Sequence, residues 1–354
     1  MYYTTIILPL FLAFVITAAA TALTLPIIKR LGILDDPKKH KHPAIIHKKP
    51  IPRAGGIPLL IGIFLTSLIF LPPTSMTATL FLAAFIALVI GVMDDKLDIS
   101  PYVRFEVNII CAVLIVIAGV SIPFITNPLG GILYLDAIKL PLIPFIHLGD
   151  LAAIIWIVWV TNMINWSTGV DGQMPGVIAI SAIVIGFLSL RFPLSDPNTF
   201  IAANLSFIIA GSSLGFLLFN FYPAKIFPGY GATSMYMLLA AVAILSGVKL
   251  ATAIMVMAVP LIDGVVTIVR RMLTGHSPFW HDNRHLHHLL LRLGFGQRRI
   301  ALSYWLVSAI FGLVSLALSS REKLFAMLMI VIVVLGAILT LHLLVGRNDE
   351  KKGI

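Results

Sequence analysis

The feature that most constrains this chain is a series of long apolar stretches that recur along its whole length. Each is about 17–25 residues long, enough for a helix to cross the roughly 30 Å of hydrocarbon in a bilayer. Charged residues make up 11% of the chain, whereas a soluble domain has about 25%. Alternating strand patterns are absent, so helices have to satisfy the backbone hydrogen bonds in lipid. We therefore expect an all-α polytopic membrane protein.

Pro and Gly interrupt the apolar pattern at most junctions and divide it into about eleven transmembrane helices. The count becomes ten if the very short turn at Gly247-Val248-Lys249 does not separate two spans. No stretch is left for a separate soluble domain, so residues 1–354 are expected to form a single integral-membrane domain. The expected spans are 4–28, 56–72, 77–93, 104–122, 149–165, 174–190, 200–219, 233–248, 250–269, 300–318 and 323–345.

Positive charge predicts the orientation of these spans. With the N-terminus outside and the C-terminus in the cytoplasm, 20 of the 25 Lys and Arg residues fall in cytoplasmic segments, as the positive-inside rule requires. The same loops hold nearly all the Asp, His, Asn and paired Gly residues, which predicts an active site on the cytoplasmic face. The net charge of +10 therefore indicates orientation and phosphate binding, and not a nucleic-acid partner. The external segment 123–148, rich in Pro and Gly, is expected to form a short hairpin or a re-entrant piece.

An acidic cluster, Asp94-Asp95-x-x-Asp98, follows the apolar run 80–93. A carboxylate at bilayer depth costs roughly 2.5–3.5 kcal/mol at a helix centre and less near the interface. Such a cluster is typical of a site where a compensating charge binds, and Mg²⁺ carrying a substrate phosphate has the matching chemistry. The alternative is an ordinary helix end with solvated carboxylates.

The first cytoplasmic loop is rich in Lys and His and ends in the sequence 50–56, Pro-Ile-Pro-Arg-Ala-Gly-Gly. Lys48 and Arg53 are candidate phosphate-binding residues. Paired glycines at a helix start let backbone N–H groups approach a phosphate closely. The alternative is that the basic loop serves topology alone.

Two further loops carry polar side chains next to spans. Asn162 and Asn165 share one helix face, and Gly169 and Gly172 flank Asp171. Carboxamides in a span are costly without partners, which favours a ligand or metal site over packing. The next loop, 220–233 with Lys225, would by itself be a Gly- and Pro-rich turn with aromatic anchors.

The last cytoplasmic loop, 270–288, combines arginines with three histidines in four residues: His285, His287 and His288. A zinc site formed by these histidines is an alternative, but no cysteine completes a tetrahedral set of zinc ligands. Imidazolium and guanidinium groups such as Arg271 and Arg284 suit a pyrophosphate better. Asp263 adds a further carboxylate within the preceding span.

Together these motifs resemble the polyprenyl-phosphate N-acetylhexosamine-1-phosphate transferases (glycosyltransferase family 4) over nearly the whole chain. The His-x-His-His form is most like the undecaprenyl-phosphate GlcNAc-1-phosphate transferase branch, since the phospho-MurNAc-pentapeptide branch has three consecutive His here. The matching pieces are 49–56, Asp94-Asp95-x-x-Asp98, Asn162-x-x-Asn165 with Gly169-x-Asp171-Gly172, 220–229, Pro260-x-x-Asp263, and 270–288.

The resemblance implies transfer of a sugar-1-phosphate from a UDP-N-acetylhexosamine to undecaprenyl phosphate, with Mg²⁺ or Mn²⁺, in a prokaryotic inner membrane. It implies catalytic, substrate-binding and metal-binding groups. The implied catalytic residues are Asp94, Asp95, Asp98, His285, His287 and His288. The implied substrate-binding residues are Lys48, Arg53, Asn162, Asn165, Lys225, Arg271 and Arg284. The implied metal-binding residues are Asp171, Asn165 and Asp263.

Three departures from the family pattern concern this site. Tyr230 stands where the family has a metal-binding Asp, Thr168 replaces the first Asp of an Asp-Gly-x-Asp-Gly pattern, and the first loop has four extra residues. We expect Asp171, Asn165 and Asp263 to form the metal site instead.

Several alternatives stay open at the level of sequence. The attack could be direct, with Asp94 or Asp95 aligning or deprotonating the lipid phosphate, or it could pass through an aspartyl phosphate. A phospho-MurNAc-pentapeptide transferase and a non-catalytic relative that binds lipid phosphate are the competing functions, and a homodimer is compatible with the chain. A transporter is disfavoured because no internal repeat is visible and the charges lie at one face.

Overall fold

A computed structural model describes residues 3–38, 45–127, 130–140, 143–167, 169–247, 250–280 and 282–352. Within these ranges the chain is mostly helical. The α-helices are α1 (Leu8–Arg30), α2 (Gly56–Phe70), α3 (Ser75–Leu97), α4 (Pro101–Ile117), α5 (Leu148–Ser167), α6 (Gln173–Ser189), α7 (Pro197–Asn220), α8 (Thr233–Leu245), α9 (Leu250–Val256), α10 (Ala258–Leu273), α11 (Leu286–Arg292), α12 (Gln297–Ala317) and α13 (Ser320–Lys352). A π-helical turn, Tyr3–Ile7, precedes α1, and a 3₁₀ turn, Tyr230–Ala232, precedes α8.

Six of these helices are long and apolar enough to cross a membrane: α1, α3, α5, α7, α12 and α13. The pair α9 and α10 makes a seventh if it is taken as one broken span. The helices α2 and α6 and the segment Tyr230–Leu245 are apolar but shorter. The chain is therefore a mostly helical membrane protein with six or seven clear spans, while the expected total of eleven is not established by these lengths.

The predicted span 250–269 is not one straight helix. It divides at Met257 into α9 and α10, which meet at 81°. Pro260 lies in the first turn of α10, where its missing N–H is tolerated, whereas a continuous helix would need that N–H to bond the carbonyl of Val256. The bend allows α10 to continue to Leu273 and to carry Arg270 and Arg271.

Helix α8 lies at the centre of the bundle. Every residue of Thr233–Leu245 is buried, and the helix packs chiefly against α2, α3, α5 and α7. By contrast, α13 exposes large apolar side chains such as Phe325, Val333 and Leu343. An exposed apolar surface of this kind is what lipid contact requires, because acyl chains are as apolar as the side chains they meet.

Three glycines let the turn Tyr230–Ala232 lie directly on α2 and α3. A Cβ added to Gly56 would stand 2.2 Å from the carbonyl carbon of Gly231, and one added to Gly91 would stand 2.4 Å from its Cα. Both distances are far below van der Waals contact. Only glycine at these positions allows the backbones to touch.

Short antiparallel hairpins connect some of the helices. Leu34–Asp35 (β1) pairs with Ile51–Pro52 (β2) at the base of the first basic loop. In segment 123–148, Phe124–Thr126 (β3) pairs with Ile132–Tyr134 (β4), and Lys139–Leu140 (β5) pairs with Ile143–His147 (β6). The expectation of a hairpin in segment 123–148 is thus confirmed, with two hairpins instead of one.

Some sequence predictions lie outside the described residues. These are the Lys and His residues 39–42 of the first loop, Thr168 in the loop after α5, and the Val248-Lys249 part of the turn between two expected spans.

Candidate active site

All five polar loops meet at one cavity of about 390 Å³ at one end of the helix bundle. The first loop contributes Asp35, His47 and Arg53, and the start of α4 contributes Arg104. The remaining walls come from the end of α3, the loop after α5, the turn before α8, and the segment from α10 to α11. Their lining residues include Asp98, Asn165, Trp166, Asp171, Gly229, Tyr230, Arg271, Phe279, Asp282, His285, His287 and His288.

The acidic pair at the end of α3 lies behind two arginines. The Arg104 Nη1 donates to Asp94 Oδ2 at 2.8 Å, and the Arg53 Nε lies 2.9 Å from Asp95 Oδ1. Both Asp side chains are buried, whereas both arginines line the cavity. The carboxylates therefore do not face the cavity themselves. They hold the guanidinium groups of Arg53 and Arg104 at its wall.

The third carboxylate of this motif occupies a different position. Asp98 is the C-terminal cap of α3, with φ of 51°, and its N–H donates to the carbonyl of Asp94 at 2.9 Å. Asp tolerates this left-handed conformation better than most residues. The cap ends the helix at the cavity and leaves the exposed Asp98 in its lining.

Asp263 on α10 holds the first histidine of the cluster. Its Oδ2 lies 2.8 Å from His285 Nδ1, and its Oδ1 accepts the N–H of Leu286 at 2.8 Å. This carboxylate is 1% exposed, so the pair is shielded from water. With Nδ1 taken up by Asp263, the ring nitrogen of His285 that is left for a ligand in the cavity is Nε2.

His287 is buried between its neighbours. Its ring stacks on His285, with centroids 5.7 Å apart, and lies 4.2 Å from the ring of His288. Burial, together with the nearby charges of His288 and His285, holds the pKa of His287 well below 6.5. A Cβ added to Gly169 would stand 2.0 Å from Nε2 of His287, so this glycine of the loop after α5 makes room for the ring.

Two consecutive arginines of α10 share one carboxylate. Arg270 Nη2 and Arg271 Nη2 both bond Asp282, and Arg271 Nη1 donates to the carbonyl of Pro278 at 2.6 Å. Burial alone would raise the pKa of Asp282, but the bond from Arg271 and the charges of both arginines outweigh it and hold that pKa below its usual value. Arg271 is thereby fixed in the cavity wall beside Trp166.

The loop after α5 is held by backbone and side-chain bonds around Asp171. Asp171 Oδ2 accepts the N–H of Ala224 at 2.9 Å, and its own N–H donates to Gln297 Oε1 at 3.2 Å. Burial raises the pKa of this carboxyl, opposed by the Ala224 N–H and the charge of His47. Asn220 Oδ1 accepts the N–H of Gly172 at 3.0 Å and completes the support of the loop.

Tyr230 forms part of the wall beside the acidic pair. Its N–H donates to Asp95 Oδ1 at 2.8 Å, and its phenolic oxygen accepts from Asn108 Nδ2 at 3.0 Å. Asn108 also bonds Asn162 Oδ1, at 3.4 Å, while the Asn162 amide donates to the carbonyl of Val158. Asn162 is therefore part of a buried network behind the wall.

The predicted site residues divide into three groups. Those in the cavity lining are Arg53, Asp98, Asn165, Asp171, Arg271, His285, His287 and His288. Those buried behind it, each bonded to a partner, are Asp94, Asp95, Asn162 and Asp263. The third group, Lys48, Lys225 and Arg284, is exposed and outside the lining.

The expected metal ligands are thus not together. Asp171 and Asn165 line the cavity, whereas both oxygens of Asp263 accept hydrogen bonds behind His285. Within the described ranges no group of three or more His, Cys, Asp or Glu side chains is placed to hold a metal ion.

The structure also adds residues that sequence reasoning did not select: Arg104, His47, Trp166, Phe279 and Asp282. Phe279 packs edge-on against Tyr102, Phe105 and Trp166 at the cavity. Phe279 and Asp282 lie in the matching piece 270–288, and Arg104 lies ten residues after Asp94 at the start of an apolar helix. In the sequence it could not be told from a topology signal.

Comparison with known proteins agrees with this arrangement. A model of the family "Glycosyl transferase family 4" matches residues 77–247. The "Probable undecaprenyl-phosphate N-acetylglucosaminyl 1-phosphate transferase" of Bacillus subtilis is 30% identical over 91% of this chain and 88% of its own length. The "Decaprenyl-phosphate N-acetylglucosaminephosphotransferase" of Mycobacterium tuberculosis is 32% identical over 96% and 89%. The "Undecaprenyl-phosphate alpha-N-acetylglucosaminyl 1-phosphate transferase" of Escherichia coli is 29% identical over 80% and 76%. The Bacillus subtilis and Mycobacterium tuberculosis matches cover more than 90% of this chain, and the chain belongs to glycosyl transferase family 4.

Proposed function

We propose that this chain transfers N-acetylglucosamine-1-phosphate from UDP-GlcNAc to undecaprenyl phosphate, or to a closely related polyprenyl phosphate, and releases UMP. The observation that carries the proposal is the cavity in which five loops bring together arginines, imidazoles and carboxylates at one end of a membrane-spanning bundle. The lipid and the sugar of the proposal are those in the names of the Bacillus subtilis and Escherichia coli relatives.

The proposed reaction needs positioning and charge neutralisation more than covalent help. An oxygen of the lipid phosphate attacks the β-phosphorus of the nucleotide sugar and forms the new P–O bond. The bond from that phosphorus to the bridging oxygen breaks, and UMP leaves with this oxygen. Since the second pKa of a phosphate is about 6, most of the lipid phosphate is already deprotonated at neutral pH and no strong base is required.

Cationic side chains supply the neutralisation in this proposal. Arg53 and Arg271 line the cavity, and each is bonded to a buried carboxylate. The ring of His285 also lines the cavity and is held by its bond to Asp263. Asp94 and Asp95 then act by aligning arginines, because both are buried behind them. Lys48, Lys225 and Arg284, exposed around the loops, are proposed to meet lipid headgroups or the nucleotide.

A divalent cation, Mg²⁺ or Mn²⁺, is proposed to arrive with the donor pyrophosphate. Mg²⁺ needs only one or two protein carboxylates when substrate phosphates and water complete its shell. Asp171 and Asn165 in the cavity lining fit that donor set, although no third acidic or imidazole ligand joins them in the described part of the chain. When bound, the ion would neutralise charge that develops on the pyrophosphate.

The location and orientation complete the proposal. Residues 1–354 form one integral-membrane domain of about eleven spans in a prokaryotic inner membrane, with the N-terminus outside and the cavity on the cytoplasmic face. The concentration of Lys and Arg in the loops that line the cavity supports this orientation.

The test is an assay of detergent-purified protein with UDP-GlcNAc, undecaprenyl phosphate and Mg²⁺, in which UMP release is followed with and without EDTA. We expect release that EDTA abolishes. Asp171→Asn is expected to raise the Mg²⁺ concentration needed for half-maximal rate by about tenfold. Glu106→Gln, an exposed carboxylate on α4 outside the cavity lining, should leave the rate unchanged.

Two results would replace the proposal. Turnover with UDP-MurNAc-pentapeptide but not with UDP-GlcNAc would make the chain a phospho-MurNAc-pentapeptide transferase. Binding of undecaprenyl phosphate without UMP release from either donor would make it a non-catalytic lipid-phosphate-binding protein.

A further inference from the structure

Arg104 is held at the cavity wall between a carboxylate and an aromatic ring. Its Nη1 donates to Asp94 Oδ2 at 2.8 Å, and the centre of its guanidinium lies 4.8 Å from the centroid of the Tyr230 ring. A cation over an aromatic face is attracted by the ring quadrupole, and the attraction is strongest where water is excluded. The carboxylate and the ring together restrict the guanidinium to one orientation.

Tyr230 is itself immobilised. Its side chain is 5% exposed, its phenolic oxygen accepts from Asn108 Nδ2, and its backbone N–H and carbonyl bond Asp95 and the hydroxyl of Thr233. Asn108, 1% exposed, is fixed in turn by Asn162. The ring therefore acts as a rigid support, and it faces the cavity together with the arginine.

Most of the donors of Arg104 remain for a ligand. A guanidinium has five N–H groups, and the described residues take up only one of them, through Asp94. Arg53 forms a similar ion pair with the other member of the acidic pair, through its Nε and the carboxylate of Asp95. Planar guanidinium groups with free N–H pairs bind phosphate oxygens in a fork geometry.

We propose that Tyr230 is a positioning residue that, with Asp94, fixes Arg104 as a ligand of a substrate phosphate in the cavity. The proposal rests on the proposed function for the identity of the substrates. The phosphate belongs either to the polyprenyl phosphate or to the nucleotide sugar, since both present the same oxygens to the guanidinium.

The test distinguishes the contribution of the Tyr230 ring from that of the Tyr230 hydroxyl. Tyr230→Phe keeps the ring under Arg104, whereas Tyr230→Leu removes it. We expect the leucine variant to raise KM for one of the two substrates by about 3- to 30-fold, with kcat within about twofold, and the phenylalanine variant to stay within about twofold of the parent. The substrate whose KM changes is the one whose phosphate Arg104 binds.

A double-mutant cycle shows whether the ring acts through Arg104. In an Arg104→Gln background, Tyr230→Leu should add no further increase in KM. Lys96→Gln removes a nearby positive charge that is exposed and outside the cavity lining, and it should change neither KM. If Tyr230→Leu does not fold, Arg104→Lys, which leaves the ring in place, should give the same selective rise in KM.

Three results would overturn the proposal: equal effects of the leucine and phenylalanine variants, a fall in kcat with both KM values unchanged, or a full effect of Tyr230→Leu in the Arg104→Gln background. If the parent protein releases no UMP, the proposed function fails separately. The positioning role is then tested by the thermal stabilisation that UDP-GlcNAc and undecaprenyl phosphate give to each variant. Loss of stabilisation by one of them in the leucine variant alone supports the role, and equal stabilisation of both variants overturns it.

Discussion

At the scale of single residues, three buried carboxylates beside the cavity are bonded to cationic or potentially cationic partners. Asp94 holds Arg104, Asp95 holds Arg53, and Asp263 holds His285. Removing one partner of a buried charge pair typically costs about 3–5 kcal/mol, because the other charge stays buried and uncompensated. The acidic motif therefore gives the cavity wall a cationic character, which suits an anionic substrate.

His287 predicts how stability depends on pH. Its pKa in the folded protein lies well below 6.5, so at pH values under about 6.5 the unfolded chain binds a proton that the folded chain does not. Stability is therefore unaffected by this group above that pH and falls as the pH is lowered through it. We expect the melting temperature of the parent to fall more between pH 7.5 and 5.5 than that of His287→Gln.

The measurement compares the two pH slopes by thermal unfolding in detergent, so a constant loss of stability in the variant does not matter. Lys96→Gln serves as a control with the parent slope. Equal slopes for the parent and His287→Gln would contradict the assignment of a depressed pKa to this ring.

Part of the site was predictable at this scale. Asp94 and Asp95 stand out in the sequence because carboxylates at the end of an apolar run are costly. The last loop stands out because three of the four residues 285–288 are His. Arg104 was not predictable, because its partners, Asp94 and Tyr230, are set by how α3 and α4 pack. The sequence likewise does not show that Asp263 lies behind His285 and not in the cavity.

At the scale of elements, helix α12 supports the loop that carries Asp171. Gln297 accepts the N–H of Asp171, and Trp305 Nε1 donates to the carbonyl of Gly172 at 3.1 Å. Gln173, at the start of α6, accepts the N–H groups of Gly169 and Val170. The loop is thus fixed by helices on both sides of it.

We expect Gln297→Met, which keeps the size of the side chain but removes the acceptor, to raise the Mg²⁺ requirement of UMP release by about threefold to tenfold. The reason is that Asp171 is a proposed metal ligand, and hydrogen-bond partners of a metal ligand tune the affinity for the metal. The melting temperature should change little, since Gln297 lies at a helix start. Arg299→Gln, an exposed change two residues away, is the matched control. An unchanged Mg²⁺ requirement would show that the loop does not depend on this bond.

The contact of α3 with the turn Tyr230–Ala232 makes a second prediction at this scale. Gly91→Ala forces a Cβ to within 2.4 Å of the Gly231 backbone, so the two elements have to separate. We expect a loss of roughly 1–3 kcal/mol in stability, typical of overpacking, together with reduced UMP release because Tyr230 moves.

Thermal unfolding and the UMP assay check this expectation. Gly336→Ala on α13, where an added Cβ meets nothing within 4 Å, should leave both readouts unchanged or slightly raise the stability through helix propensity. A Gly91→Ala protein with the parent melting temperature would mean that the turn can shift without cost.

The helices show where sequence reasoning succeeds and where it stops at this scale. Apolar length predicted helical segments in all eleven expected places, because hydrophobicity and helix length are local properties. The division of 250–269 at Met257 was not predicted, although Pro260 was visible, since a proline in the middle of an apolar run can start a new helix or merely bend the old one.

At the scale of the whole molecule, the orientation remains a prediction that can be measured directly. The single cysteine, Cys111, is fully buried, so the parent chain should not react with a membrane-impermeant maleimide. Asp136→Cys, between the two hairpins of segment 123–148, should react in intact cells, whereas Phe295→Cys, between α11 and α12, should react only in inverted vesicles. Labelling of both variants from the same side would contradict the proposed topology.

The central position of α8 also bears on how the molecule is made. The helices that enclose it, chiefly α2, α3, α5 and α7, all precede it along the chain. When the ribosome delivers α8 to the membrane, its surroundings have therefore already been synthesised, in keeping with the N-terminal-first folding of nascent chains. Helix α8 can therefore pack against α2, α3, α5 and α7 as soon as it leaves the translocon. For this part of the bundle, the order of translation is also the order of assembly.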